Sequence, residues 1–329
     1  MLSPGELSDI RRGVVFATLM AAGPDGVSGP VLAEQLHCSR AAVHRHVEAL
    51  RRAGAEIEGT RRGYRIVEVR DFLLPRMVEP LLVAPIAGPV VWRAETTSTN
   101  DDVARQARKG AGEGLVIGAD FQRAGRGRRG REWVAAPRDA LLVSVLLRPP
   151  VAPTEAGLLP IVVAVAVADT LEDVDPSIVW PNDILIRGRK TAGILCELSG
   201  DQERVHWAVA GVGINLWSFP ELRDPRWPAG SLADLGEPPP RSMLLIALLR
   251  TLSERYTEWT SGGAASILAA FAERDALVGN RVEVALEDGS VVGEAAGLDE
   301  LGRLRLRTAS GERALSAGEV TRIFPASSA

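Results

Sequence analysis

The sequence predicts an α+β protein built from three units. Three observations carry this. The first 66 residues read as short helices ending in a hairpin pattern. The middle of the chain holds long apolar strands separated by a few strongly helical stretches. The last fifty or so residues contain only short alternating runs broken by turn residues. At 329 residues, 46% of them hydrophobic, the chain is long enough for two or three cores and too apolar to be disordered. A net charge of −4 is too small to give the whole chain a nucleic-acid partner, so any basic patch must be local. No apolar run is long enough to span a bilayer. Cys38 and Cys196 are far apart and form no ligand pattern, which points to a reducing compartment such as the cytoplasm.

The first unit spans residues 1–66. "RRGVVFATLMAAG" (11–23) has the outline of a secretion signal, but Glu6 and Asp9 precede its arginines, and it reads better as a buried first helix. A second helix is predicted from Val31 to Leu36, with Leu32, Ala33 and Leu36 at helical spacing. His37 and Cys38 make a tight turn, and Ser39 is a suitable N-cap for a third helix. On that helix Ala42, Val43, Val47 and Leu50 form one apolar stripe, while Arg40, His44, Arg45 and Arg51 fall elsewhere. Gly54 stops it, and "AEIEGTRRGYRI" then alternates around Gly59 and Gly63. Helix, turn, second helix and basic hairpin make a winged helix-turn-helix. Seven arginines against three glutamates between Arg40 and Arg65 give it a local charge of +4. Ser39, Arg40, His44, Arg45, Arg61 and Arg62 are the candidate DNA contacts, since recognition helices need cations beside phosphates and donors near base edges. His37, Cys38, His44 and His46 suggest zinc only at first sight, because histidines two apart on a helix diverge.

Residues 67–90 carry Pro75, Pro80, Pro85 and Pro89 and read as a linker. Residues 91–272 are the main unit. "GLVIGADFQ", "ALLVSVLLRP", "IVWPNDILI", "KTAGILCEL" and "RVHWAVAGVGINL" read as strands of a mixed sheet. "EAGLLPIVVAVAVADTLEDV" is long and alanine-rich enough to be a buried helix, and "SMLLIALLRTLSERYTEW" is an amphipathic one. Residues 273–329 supply "RVEVAL", "SVVGEAAGL", "LRLRT" and "EVTRIF", the strands of a small antiparallel barrel.

The segment "AGRGRRGREW" (124–133) packs four arginines, three glycines and a tryptophan into ten positions. Glycine-rich backbone approaches a ligand closely, arginine forks match phosphate, and a tryptophan offers a stacking face. An anion with an aromatic part, such as a nucleotide, fits. A solvated loop or an RNA-binding arm has the same composition, though the position inside a folded unit disfavours the arm. "TSTND" (97–101) adds small polar side chains at a helix start. "WPNDI" (180–184) puts Asn182 and Asp183 beyond a strand, "GRKTAGIL" (188–195) puts Lys190 at the entrance to the next, and "GVGINL" (211–216) offers more close-approach backbone. Trp133 and Trp180 also suit a core, and Asn182–Asp183 also suits a plain turn.

"STN", "GRGRRGREW", "WPND", "RKTAGIL" and "GVGIN", in this order, resemble biotin protein ligases. The preceding helix-turn-helix is similar to that of the bifunctional subgroup that doubles as biotin operon repressor. The resemblance covers essentially the whole chain. It implies a class II synthetase-like catalytic domain and an SH3-like C-terminal barrel, with biotin and ATP as substrates and Mg2+ as cofactor. It also implies a cytoplasmic homodimer acting on the biotin carboxyl carrier protein of acetyl-CoA carboxylase and on operator DNA.

By that resemblance Ser98, Thr99, Asn100, Gln122, Gly125, Arg126, Gly127, Arg128, Lys190 and Gly193 surround biotin. Arg126, Arg128, Arg129, Arg131, Trp133, Asn182, Lys190, Asn215 and Arg322 meet ATP, and Gly211 lines the site. Lys190, Arg128 and Asp183 carry the chemistry, with Asp183 also the candidate metal ligand. Val179 departs from the family, which often has lysine there, and so implies a lost or replaced nucleotide contact. The end "AGEVTRIF" matches the family only loosely. Three rivals remain open at this level: a lipoate or octanoyl ligase relative, an inactive ligand-sensing repressor, and a ligase with a non-regulatory helix-turn-helix.

Overall fold

The computed structural model describes residues 4–52, 55–69, 78–219 and 226–324. Three helices open the chain: α1 (Pro4–Ala22), α2 (Gly29–Gln35) and α3 (Arg40–Arg52). Ser28 Oγ accepts from the Val31 amide, so α2 starts earlier than Val31, with proline in its first turn. Ser39 Oγ accepts from the Ala42 amide at 3.2 Å and starts α3. His37 takes φ 47° at the turn between them. Strands β1 (Ala55–Thr60) and β2 (Gly63–Val69) form the antiparallel wing. Gly63 turns at φ +133°, and a Cβ there would stand 2.1 Å from the Val27 carbonyl oxygen, so the wing closes against the chain entering α2 only through glycine. Val15, Phe16 and Leu19 of α1 bury against Leu32, Val43, Val47, Leu50 and Ile57. The run 11–23 is thus the buried first helix. Gly54, the expected stop, and residues 70–77 of the expected linker, Pro75 included, lie outside the described residues.

The centre is a seven-stranded sheet. Its strands are β3 (Val90–Arg93), β4 (Val116–Ala119), β5 (Ala140–Leu147), β6 (Pro176–Val179), β7 (Asp183–Ile186), β8 (Arg189–Gly200) and β9 (Val205–Asn215), in the order β3-β4-β5-β9-β8-β7-β6. Only β3 and β4 run parallel among these pairs. "IVWPNDILI", expected as one strand, is the hairpin β6–β7, with Trp180, Pro181 and Asn182 at the bend. Proline cannot donate to a central ladder, and the chain turns where it occurs.

The sheet is covered on both sides, which is why β5 is buried along its whole length. Leu141, Val143, Val145 and Leu147 face the main core, with helices α5 (Leu159–Thr170), α6 (Arg241–Gly262) and α7 (Ala265–Ala272). Helix α5 is buried from Ile161 to Ala168, as its uniformly apolar sequence requires. Helix α4 (Thr99–Arg108) covers part of the opposite face through Val103, Ala104 and Ala107 against Ile117, Leu146 and Val209.

The C-terminal strands β10 (Arg281–Leu286), β11 (Gly289–Leu298), β12 (Leu304–Thr308), β13 (Gly311–Leu315) and β14 (Glu319–Phe324) form one antiparallel sheet in the order β13-β12-β11-β10-β14. Strands β3 and β13 are absent from the sequence reading. Val282, Val284, Leu304 and Leu306 join the main core, and Trp180 Nε1 donates to the Gly302 carbonyl at 3.0 Å. No helix among the described residues is long and apolar enough to cross a membrane.

Candidate active site

Strand alternation builds the floor of a pocket on the α4 side of the sheet. Ala210, Val212 and Ile214 of β9 point into the main core, so Gly211, Gly213 and Asn215 point the other way. On β8, Ala192 and Ile194 face the core and Gly193 the pocket. Gly193 and Gly213 are paired across the two strands. A Cβ at Gly213 would stand 2.5 Å from Trp133 Cε2, and one at Gly193 would stand 2.7 Å from Trp133 Cζ3. The indole therefore lies on a bare patch of sheet. The indole N–H groups of Trp133 and Trp227 are buried and have no hydrogen-bond partner among the described residues, and both residues line the pocket. A polar ligand would satisfy them.

The first wall is the start of α4. Gln122 Oε1 accepts from the Thr99 amide at 2.7 Å and from Thr99 Oγ1 at 3.1 Å. Ser144 Oγ lies 2.7 Å from Thr99 Oγ1 and 2.6 Å from Asn100 Oδ1. Asn100 Nδ2 donates to the Leu195 carbonyl and to Glu197. Asn100 thus ties α4 to the sheet as it lines the pocket beside Ser98.

The second wall is the arginine loop, which is a narrow hairpin. The Trp133 amide donates to the Gly125 carbonyl, Arg126 bridges Glu132, and the Gly127 amide donates to the Arg131 carbonyl. Its tip turns through Arg129 at φ 56° and Gly130 at φ 74°. Each arginine has a separate destination. Arg126 reaches Asp101 at 2.7 Å and Glu197 at 2.8 Å. Arg128 donates to Asn182 Oδ1 at 3.4 Å and to the Gly318 carbonyl at 3.2 Å. Burial pulls the Arg128 pKa below its ordinary value, while Glu319 and Asp183 oppose that, and the group stays cationic. Arg129 donates to the carbonyls of Ala285 and Leu286. Arg131 forms a forked ion pair with Glu319, which also accepts from Arg226.

The third wall is the β6–β7 bend with the start of β8. Asn182 exchanges hydrogen bonds with Ile194, from its side-chain Nδ2 to the Ile194 carbonyl and from the Ile194 amide to its own carbonyl. Asp183 is 4% exposed and accepts from Lys190 Nζ at 2.6 Å. Simple alternation from Ala192 would aim Lys190 at the core. The pairing shifts by one residue between Ile184 and Leu185, so Thr191 is extra, and this bulge turns Lys190 to the pocket. Cys196, behind this wall, has its thiol pushed up to about 12 by burial and stays protonated.

Family models match three stretches of the chain. Residues 92–215 match the model of the biotin/lipoate A/B protein ligase family, 11–65 a helix-turn-helix domain, and 277–322 the biotin protein ligase C-terminal domain. The chain is 31% identical to the bifunctional ligase/repressor BirA of Bacillus subtilis, over 91% of this chain and 94% of that one. It is 37% identical to the biotin–[acetyl-CoA-carboxylase] ligase of Mycobacterium tuberculosis, over 77% of this chain and 98% of that one. The chain belongs to the biotin protein ligase family. A solved structure of the Aquifex aeolicus biotin protein ligase, in complex with biotin and ATP, superposes with a TM-score of 0.60 at 27% identity, covering 70% of this chain and 97% of that one.

Within this ligase the pocket gathers Ser98, Thr99, Asn100, Gln122, Arg126, Gly127, Arg128, Arg131, Trp133, Asn182, Asp183, Lys190, Gly193, Gly211 and Asn215. It does not gather three residues of the sequence reading. Gly125 lies behind Trp133, where a Cβ would meet the Trp133 carbonyl at 2.3 Å, and it shapes the loop. Arg129 leaves for the C-terminal sheet. Arg322 is exposed and stacks over Phe324 at 5.3 Å; Glu319, three residues earlier on β14, lines the pocket instead. Val179 is 1% exposed in the main core and does not line the pocket. Trp180 is a core residue.

Sequence reasoning missed Ser144, Gly213, Arg226, Trp227 and Glu319. Gly213 was visible as the second glycine of "GVG". Glu319 carries no local signal, because its partner Arg131 is 188 residues away.

The ligase's helix-turn-helix presents Arg40, His44 and Arg45 on the exposed side of α3, and Arg61 and Arg62 at the wing tip. Ser39 is spent on capping. Arg51 and Arg65 are ion-paired with Glu48 and Glu58.

Proposed function

We propose that this chain is an ATP-dependent ligase that forms biotinyl-5′-AMP and passes biotin to a lysine of the biotin carboxyl carrier protein of acetyl-CoA carboxylase. We further propose that, as a homodimer, it represses biotin genes from operator DNA. The observation that carries the first reading is one pocket combining a polar wall at Thr99 and Gln122, a bare glycine floor, and cations at Arg128, Arg131 and Lys190.

A biotin carboxylate oxygen attacks the α-phosphorus of ATP, the bond to pyrophosphate breaks, and a mixed anhydride results. Two anions meet, so fixed cations are needed where charge builds up. Lys190 and Arg128 fill that role. Buried Asp183 keeps the Lys190 ammonium in place before ligand arrives. In the second step the carrier lysine's amine attacks the anhydride carbonyl, AMP leaves, and the amine sheds a proton, for which Asp183 is the candidate acceptor. Ser98, Thr99 and Gln122 hold the biotin ring, and Trp133 packs the adenine. The arginine hairpin shields the anhydride from water.

Magnesium would enter with the ATP phosphates. Among the described residues no group of three or more His, Cys, Asp or Glu side chains converges on a metal position, and Asp183 is engaged by Lys190. These residues do not build a magnesium site of their own, and no step above relies on one.

Labelled biotin, or lipoate as control, is incubated with purified protein and a carrier domain, with and without ATP. Transfer of biotin alone, dependent on ATP, is expected. Transfer of lipoate instead overturns the substrate assignment, and no adenylate at all leaves a ligand-sensing repressor.

A further inference from the structure

Glu319 opens β14 and is 9% exposed. Both of its carboxylate oxygens are taken by the guanidinium fork of Arg131, and Oε1 also receives Arg226 Nη2. Arg226 Nη1 donates to the neighbouring Val320 carbonyl at 3.2 Å. All three side chains line the pocket.

The two arginines come from different segments around the pocket. Arg131 is the returning arm of the arginine hairpin. Arg226 precedes a segment strapped along the floor, where the Lys190 amide donates to Pro228, the Gly230 amide donates to Lys190, and Asn215 Nδ2 donates to Gly230. Two guanidiniums facing one site repel each other. A carboxylate shared between them turns that repulsion into a bridge, and a forked pair fixes orientation as well as distance. The bridge leaves one net positive charge beside Arg128 at the phosphate side of the pocket.

We propose that Glu319 is a positioning residue for the nucleotide: it clasps Arg131 and Arg226 together, so that the arginine hairpin and the 226–230 strap bind ATP as one unit. The inference rests on the ligase reading above, and it gives the C-terminal sheet a part in substrate binding made through two arginines of the catalytic domain. Beyond the clasp, Arg128 and Arg129 also reach backbone carbonyls of that sheet.

The test is biotin-dependent exchange of pyrophosphate into ATP, measured on the full-length chain. The variants are Arg131→Gln, Arg226→Gln and the two combined, each made with Glu319 present and again with Glu319→Gln, beside Glu319→Gln alone. Glu319→Gln is expected to raise KM for ATP about ten-fold with a smaller change in kcat, the coupling size of residues sharing one ion-pair network. The two arginine substitutions should be non-additive in KM with Glu319 present and additive once it is glutamine. A second readout needs no substrate: Glu319→Gln should speed tryptic cleavage after both Arg131 and Arg226 in the free protein.

Additivity in both backgrounds, or a variant that melts earlier yet keeps its KM and its cleavage rates, overturns the clasp. Absence of exchange in the wild type overturns the ligase reading instead, and the cleavage rates then decide the clasp alone.

Discussion

Lys190 Nζ and Asp183 Oδ1 stand 2.6 Å apart because one extra residue, Thr191, reverses the facing of β8 between Ala192 and Lys190. Without that bulge the ammonium would point into an apolar core. Lys190→Ala is expected to fold and to bind biotin. It should lose adenylation on the order of 100-fold, the effect of removing one fixed electrostatic contact from the reacting centre. Formation of biotinyl-AMP at the wild-type rate would take Lys190 out of the mechanism.

The glycine floor makes a prediction of sign and rank. Gly213→Ala puts a methyl 2.5 Å from the Trp133 ring, and Gly211→Ala puts one 2.1 Å from Asn100 Oδ1. The indole sits on a loop and can shift, whereas Asn100 is fixed by Ser144, Leu195 and Glu197. Gly211→Ala should therefore destabilise the fold by about 1–3 kcal/mol, as overpacking does. Gly213→Ala should leave the melting temperature nearly unchanged and raise KM for ATP. Thermal melts beside steady-state kinetics check the order, and the reverse ranking contradicts the geometry.

Arg128 pins the hairpin to Asn182 and to the Gly318 carbonyl. Arg128→Gly removes both ties and one cation near the anhydride. The variant should release the adenylate faster than wild type and acylate lysines on bystander proteins. Biotin with ATP should slow proteolysis of residues 125–132 in the wild type and do so much less in the variant. Equal cleavage with and without ligand in the wild type excludes closure of this loop.

Asp120 links three elements: it accepts from Trp92 Nε1 and Arg241, each at 2.9 Å, and from Arg138. Burial alone would raise its pKa, but these partners hold it below the ordinary carboxylate value. A depressed carboxylate stabilises the fold above its unfolded pKa and loses that contribution as pH falls through the folded one. Asp120→Asn should lower the melting temperature near neutrality, because it removes the charge that Arg241 and Arg138 face. Its melting temperature should converge with that of wild type only below about pH 4. A gap that persists unchanged in acid would mean that the charge is not what matters.

For DNA, Arg40 and Arg45 on α3 and Arg61 and Arg62 on the wing are exposed cations without an acidic partner among the described residues. Replacing one phosphate-contacting arginine should reduce the log–log salt slope of binding by about one unit per protomer. Gel shifts on the chain's own upstream region and on biotin-gene promoters, with and without biotin plus ATP, are the measurement. Weak binding that is equal on all sequences and blind to ligand would leave the helix-turn-helix without a regulatory role.

Much of this was legible in the residues. The amphipathic stripe of α3 and the apolar runs of β5 and α5 follow from periodicity, because each buries a face or a whole element. The polar wall, the arginine hairpin and Lys190 came from motifs that are contiguous in sequence. What stayed hidden depends on parity and distance. A bulge of one residue decides which side Lys190 faces, and nothing in "GRKTAGIL" shows it. Arg322 is expected at ATP only through the loose family match of "AGEVTRIF", but its own strand turns it to solvent and presents Glu319 instead. Val179, where the family often has lysine, lies in the core beside Ile178.

The bare floor also divides the labour of motion. Gly193, Gly211 and Gly213 lie on the two longest strands of the sheet, each hydrogen-bonded on both edges, so their amides are released only when the domain itself opens. A surface with no side chains has no rotamers to rearrange or to freeze. Whatever entropy the ligand extracts on binding must come from the hairpin above it. Amide exchange should therefore record the ligand's arrival at residues 125–132 and remain silent at 211–213, so that affinity can be tuned from the roof while the floor keeps one shape.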